Sequence, residues 1–119
     1  MDEGRPIFLQ IADQIENAII DGSLAEEAQA PSTNELAAFH RINPATAAKG
    51  LNQLVDDGIL YKKRGIGMFV SVGARATLRQ RRQEQFSDQY LQPLLVEAEK
   101  LGLRAADLKE MIDAWEKAR

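Results

Sequence analysis

The sequence predicts a mainly helical protein with a small β-hairpin: a winged helix-turn-helix followed by a short two-helix C-terminal dimerisation region. Three observations predict it. Isoleucines recur every fourth residue at 7, 11, 15 and 19. Two capped helix starts follow, at Ser32 and Asn43. Two β-prone runs then flank a basic, glycine-containing turn within "ILYKKRGIGMFVSV", residues 59–72.

Each element has a local cause. Ile7, Ile11, Ile15 and Ile19, with Phe8, Ala12 and Ile20 beside them, make an amphipathic helix that Asp21-Gly22-Ser23 should end. After a loop through Pro31, Ser32 and Glu35 have capping-box spacing, each side chain satisfying a free amide of the first turn. The short second helix should place Leu36, Ala37 and Phe39 inward and stop near His40-Arg41. If Arg41 takes a positive φ there, that costs roughly 1 kcal/mol.

The third helix, 43–57, opens on "NPATAAKG". Asn43 is a good cap, and Pro44 suits a first position that needs no amide. Ala47, Leu51, Leu54 and Val55 should face the core, leaving Ala45, Thr46, Lys49, Asn52 and Gln53 outside. Asp57-Gly58 ends it. In the hairpin, Gly65 and Gly67 permit the positive φ of a tight turn. From Arg75 a long helical pattern carries Phe86, Tyr90, Leu94, Ala98 and Leu101, interrupted by Pro93, which should kink or divide it. Gly102 closes it, and a last helix aligns Leu108, Met111, Ile112 and Trp115 on one stripe.

Composition bounds the function. The chain has 119 residues, 45% of them apolar, enough for one domain with an appendage. Without cysteine it has no disulfide or thiolate metal site, which fits a reducing compartment. No run of eighteen apolar residues and no secretory start is present, so a cytoplasmic protein without a membrane partner is expected. Net charge is −3, yet residues 41–82 hold nine Lys or Arg against Asp56 and Asp57 alone, a balance of +7. A basic middle between acidic ends suits an oriented electrostatic footprint, or else a solvated face.

The small residues at 45–48 acquire meaning beside that charge. A helix entering the major groove, about 12 Å wide, needs a slim leading end with polar groups in its first turn. Asn43 and Thr46 can donate to phosphates or read bases, and the methyls of Ala45 and Thr46 can pack on thymine. Lys49 can reach guanine or phosphate. Lys62, Lys63 and Arg64 should lie along the backbone or over the minor groove, with Gly65 and Gly67 allowing close approach. Each feature alone has a plainer reading: a well-capped helix, a charged strand edge that discourages aggregation, a solvated lysine. Their joint spacing favours DNA. His40 is the single histidine and lacks evident partners for a metal site or catalytic dyad. No catalytic residue, metal or cofactor is expected, and the chain is not expected to be an enzyme.

The segments "PIFLQIADQIENAIIDGSL", "APSTNELAAFHRINPATAAKGLNQLVDDGIL" and "KKRGIGMFV" closely resemble the DNA-binding domain of GntR-family bacterial transcription regulators, over about residues 5–72. The short helical tail is similar to the YtrA subfamily. The resemblance implies a homodimeric regulator, usually a repressor, on a pseudo-palindromic operator. It places DNA contacts on Asn34, Asn43, Ala45, Thr46, Lys49 and the wing tip around Arg64 and Gly65. The expected DNA-binding set is therefore Ser32, Asn34, Asn43, Ala45, Thr46, Lys49, Lys62, Lys63, Arg64, Gly65 and Gly67.

The chain departs from the family at several points. Asn34 stands where Arg is common, Pro44 replaces an Arg frequent in other branches, Ala45 and Ala48 stand where polar or basic residues are often found, and Gly50 replaces a common Ala. Fewer strong base contacts implies modest affinity or more reliance on the wing. The expected division is a winged helix-turn-helix DNA-binding domain, 1–73, and a helical dimerisation tail, 74–119. Phe86, Tyr90, Leu94, Leu101, Leu108, Met111, Ile112 and Trp115 form the expected dimer interface, since one winged helix reads too few base pairs for useful specificity. Arg75, Arg79, Arg81 and Arg82 either add phosphate contacts or cap and solubilise the tail. The sequence leaves open whether a small-molecule effector is sensed. It also leaves a rival, a winged-helix protein-interaction module without specific DNA binding.

Overall fold

A computed structural model describes residues 4–119, so positions 1–3 of the expected first domain lie outside the described residues. The element order is α1 (Ile7–Asp21), α2 (Thr33–His40), α3 (Pro44–Asp56), β1 (Leu60–Lys63), β2 (Gly67–Val70), α4 (Ala74–Phe86), a π-helical turn (Ser87–Leu91), α5 (Gln92–Lys100) and α6 (Ala105–Ala118). Chain packing defines two compact units, Met1–Gln80 and Arg81–Arg119, with α4 beginning in the first.

In the first unit, Ile11, Ile15 and Ile19 of α1 meet Leu36 and Ala37 of α2 and Ala47, Leu51 and Leu54 of α3. Ile59, Leu60 and Val70 of the hairpin and Ala74 and Leu78 of α4 complete the core. Ile7, the first of the four isoleucines, stays exposed because the stripe only becomes buried one turn later. Gly22 ends α1 with φ +87°, as its lack of a Cβ allows.

The capping box of α2 is present: Ser32 Oγ accepts from Glu35 N at 3.1 Å, and Glu35 Oε1 accepts from Ser32 N at 3.1 Å. Arg41 takes φ +54°, and its N–H and that of Ile42 both reach back to Ala37 O. Phe39 corrects the expectation. It is 82% exposed, its ring edge-on to His40 at 4.9 Å between centroids. Two residues past Ala37 is about 200° around a helix, so a core-facing Ala37 turns Phe39 away.

Asn43 Oδ1 accepts from Ala45 N at 2.8 Å with Pro44 in the first turn, so α3 starts where its cap dictates. α1 and α3 cross closely at Gly50, where an added Cβ would stand 2.7 Å from Phe8 O and 3.2 Å from the Ile11 side chain. The hairpin pairs Leu60 with Val70, Tyr61 with Phe69, Lys62 with Met68 and Lys63 with Gly67. A loop segment, unpredicted as a neighbour of the hairpin, bridges to β2 at Gln29. Glu27 N donates to Val70 O and Ala30 N to Met68 O, both at 2.8 Å, while Val70 N returns to Ala28 O at 3.0 Å.

The second unit is helical throughout. Pro93 leaves the helix unbroken but widens it: Gln92 N reaches Ser87 O, five residues back, and Pro93 falls in the first turn of α5. A wider π turn at this point accommodates a residue that has no N–H and whose ring crowds the preceding turn. Gly102, φ +73°, and the bond from Leu103 N to Ala98 O turn the chain into α6. Among the described residues, no helix is long and apolar enough to cross a membrane.

Candidate nucleic-acid interface

The N-terminal turn of α3 presents the residues that the sequence singled out. Asn43, Ala45 and Lys49 are exposed and Thr46 is half-buried. Asn43 spends its Oδ1 on the cap, so its outward chemistry is that of an amide N–H donor. Lys49 lies over Phe8 of α1, Nζ 4.1 Å from the ring centroid. That stack holds the ammonium at the helix surface, at a cost of order 1 kcal/mol or less to swing outward. In the sequence Phe8 only flanks the isoleucine stripe, and nothing local pairs it with Lys49.

On the wing, Lys62, Lys63, Arg64 and Gly65 are exposed, and Gly67 is half-buried. Lys63 Nζ lies 4.3 Å from the Phe69 ring centroid and 5.9 Å from that of Tyr61, and these two rings stack at 6.0 Å. The aromatic pair thus supports one wing cation from beneath. Tyr61 OH also donates to Glu27 Oε2 at 3.2 Å. Partial burial, then that hydrogen bond and the Glu27 charge, raise the phenol pKa above its usual value.

Ser32 and Asn34 line a cleft of about 290 Å³ with Gln29, Pro31, Ile66 and Gly67, so the start of α2 and the wing turn share one depression. Gly65 φ is +76° and Gly67 φ is +146°, values L side chains resist. Among the cations at the start of α4, Arg75 has defined partners in the head. Arg75 Nε donates to Ile20 O at 2.9 Å, at the carboxyl end of α1, and Arg75 N donates to Glu26 Oε1 at 3.4 Å. A cation there satisfies a free carbonyl and the helix dipole. Asp21 nearby is held below its usual pKa, chiefly by hydrogen bonds from Ser23, with Arg75 adding attraction. Arg75→Ala is expected to lower stability by about 1 kcal/mol in denaturant titration, with the salt slope of DNA binding unchanged. A flatter slope would instead give Arg75 a phosphate.

In the second unit, Phe86, Tyr90, Leu94, Leu101, Met111, Ile112 and Trp115 are exposed and Leu108 is half-buried. Leu91, Leu95 and Val96, absent from the expected interface, are exposed as well. Leu94, Leu108, Met111, Ile112, Trp115 and Glu116 line an open, almost wholly apolar groove of about 340 Å³. The Phe86 and Tyr90 rings stand 5.6 Å apart, and Arg119 lies 4.6 Å over Trp115.

Comparison with known proteins gives this arrangement its relatives. The family described as bacterial regulatory proteins, gntR family, matches residues 8–70. YtrA, an HTH-type transcriptional repressor of Bacillus subtilis (strain 168), is 31% identical over 107 residues, covering 90% of this chain and 82% of its own. A transcriptional regulator from Oenococcus oeni superposes with a TM-score of 0.76 at 27% identity, covering 96% of this chain and 93% of that one. The DNA-binding domain of AraR, in a crystal structure with its operator ORR3, superposes with a TM-score of 0.56 at 28% identity, over 60% of this chain and 86% of that one. The match over more than half of its length shows that the chain belongs to the gntR family of bacterial regulatory proteins: it is a DNA-binding transcription regulator, not an enzyme.

Proposed function

We propose that the chain is a homodimeric repressor that binds a pseudo-palindromic operator in the cytoplasm. In this reading the head, 1–73, lays α3 in the major groove. The wing, 62–67, lies on the backbone or minor groove, and the tail, 74–119, joins two copies. The observation that carries the DNA reading is the slim, capped start of α3, carrying Asn43, Ala45 and Thr46, in the same compact unit as the wing cations Lys62, Lys63 and Arg64. Short side chains permit groove entry, the positive dipole end of α3 favours phosphate, and the wing cations add a second line of charge. The AraR domain with its operator and the YtrA repressor lend support from the family.

The tail supports the dimer. Ala98 is the one hydrophobic residue of Arg81–Arg119 that is buried, whereas ten large apolar residues there are 41–65% exposed. A unit of 39 residues that leaves so much apolar surface to water falls below the size at which a chain folds alone without a partner, a metal or disulfides. A second copy supplies the missing half of the core, and two heads one helical turn apart supply the specificity that a single head lacks.

Fluorescence anisotropy with a duplex from the promoter of the chain's own gene, against a scrambled duplex, tests the reading. Tighter binding to the promoter, persisting at near-physiological salt, is the expected result. Equal binding to both, vanishing with salt, would leave only phosphate attraction and put a protein-interaction module in its place.

A further inference from the structure

We infer that Gln29 is a positioning residue for the DNA wing: its carboxamide ties the turn to the body of the head. The inference rests on the wing acting as a DNA contact. A two-stranded hairpin is marginal in water by itself, and the exposed turn between β1 and β2 carries a single internal backbone bond, Ile66 N to Lys63 O at 3.0 Å. Gln29 adds a tie from outside the hairpin, with Nε2 donating to Ile66 O at 3.1 Å across 37 residues of sequence.

Two further features converge on the same side chain. The Gln29 backbone bridges to Phe69, and its neighbours Glu27, Ala28 and Ala30 hydrogen-bond to Met68 and Val70, so the carboxamide starts from a backbone segment clamped to β2. Gly67, in turn, leaves room for it: a Cβ there would stand 2.5 Å from Gln29 Nε2. Glycine at 67 therefore serves the positive φ of the turn and the seat of the carboxamide together. Arg64 and Gly65 immediately precede the tethered carbonyl, so fixing it restricts where they can point. Ordering the tip before DNA arrives removes part of the entropy cost of binding.

The test is anisotropy of the full chain on the promoter and scrambled duplexes across a salt series. Four variants are compared with wild type: Gln29→Ala, Gln29→Glu, a wing variant with Lys62, Lys63 and Arg64 all changed to Ala, and that variant combined with Gln29→Ala. Gln29→Glu keeps the size but presents an acceptor to the Ile66 carbonyl. Both single variants are expected to weaken binding about fivefold, the equivalent of one net hydrogen bond, with a salt slope flatter by roughly one released counterion. In the wing-variant background, Gln29→Ala should cost nothing more, since a residue acting only through the wing has nothing left to position.

Wild-type affinity for both Gln29 variants would overturn the inference. So would the same loss in both backgrounds, which would make Gln29 a general stabiliser of the head. A wing variant that itself binds like wild type, salt slope included, would remove the wing reading instead, and the inference with it.

Discussion

Ile112→Asp is expected to leave the chain monomeric at micromolar concentration and to cut its affinity for the promoter duplex by a factor of about a hundred or more. Ile112 is 56% exposed on α6 and lines the apolar groove with Leu94, Met111 and Trp115. In one copy a carboxylate there would sit in water at little cost. Between two copies it would be buried without a partner, at a cost of several kcal/mol. In the proposed dimer, the loss of DNA affinity follows from losing the second head: the linked copy would bind at high effective concentration, and that advantage would vanish in a monomer.

Sedimentation velocity reads the assembly directly. Trp115, the single tryptophan, gives a second signal because the residue is 60% exposed in one copy, so dimer formation should shift its emission to the blue. The head core contains no residue of α6, so thermal unfolding of the head should survive the substitution. A wild-type chain that sediments as a monomer while still selecting its promoter would end the dimer proposal.

Gly50→Ala is expected to destabilise the head by about 2 kcal/mol and to lower its melting temperature by roughly 10 °C. The sign is the informative part. In an exposed helix the same change stabilises by up to about 1 kcal/mol, because alanine is the better helix former. Here the new Cβ would stand 2.7 Å from a backbone oxygen, Phe8 O, and 3.2 Å from the Ile11 side chain. Backbone cannot swing aside as a side chain can, so α1 must move off α3. Phe8 would move with it and withdraw the ring beneath Lys49, coupling the packing defect to the proposed DNA face. A scan in which Gly50→Ala melts at or above wild type would show that the two helices separate freely.

Much of the fold is written locally. The starts of α2 and α3 follow from Ser32, Glu35, Asn43 and Pro44, because a cap bonds to amides two or three residues away. Gly22 and Gly102 mark chain reversals, and Gly65 and Gly67 mark the wing turn, through backbone angles that each residue type permits or resists. The core stripe of α3 is likewise readable from helical spacing: Ala47, Leu51 and Leu54 are buried, while Asn43, Ala45, Lys49 and Asn52 are exposed.

Other features depend on neighbours far along the chain. "AEEAQA", 25–30, has little strand propensity, yet residues 27–30 pair with β2 because its free edge offers hydrogen-bond partners. Phe39 looked inward only until the short α2 chose Leu36 and Ala37 for the core. Arg75 was one cation among several until the start of α4 set it against the carboxyl end of α1.

Local chemistry therefore sets the order of elements, the starts of α2 and α3, and a basic hairpin turn after a slim third helix. These depend on interactions within a turn or two of chain. Long-range packing alone lets Gly50 admit α1, puts Gln29 and Gly67 together at the wing turn, and rests Lys49 on Phe8. Each of these joins residues at least 37 positions apart, and such pairings exist only once the core has brought their elements together.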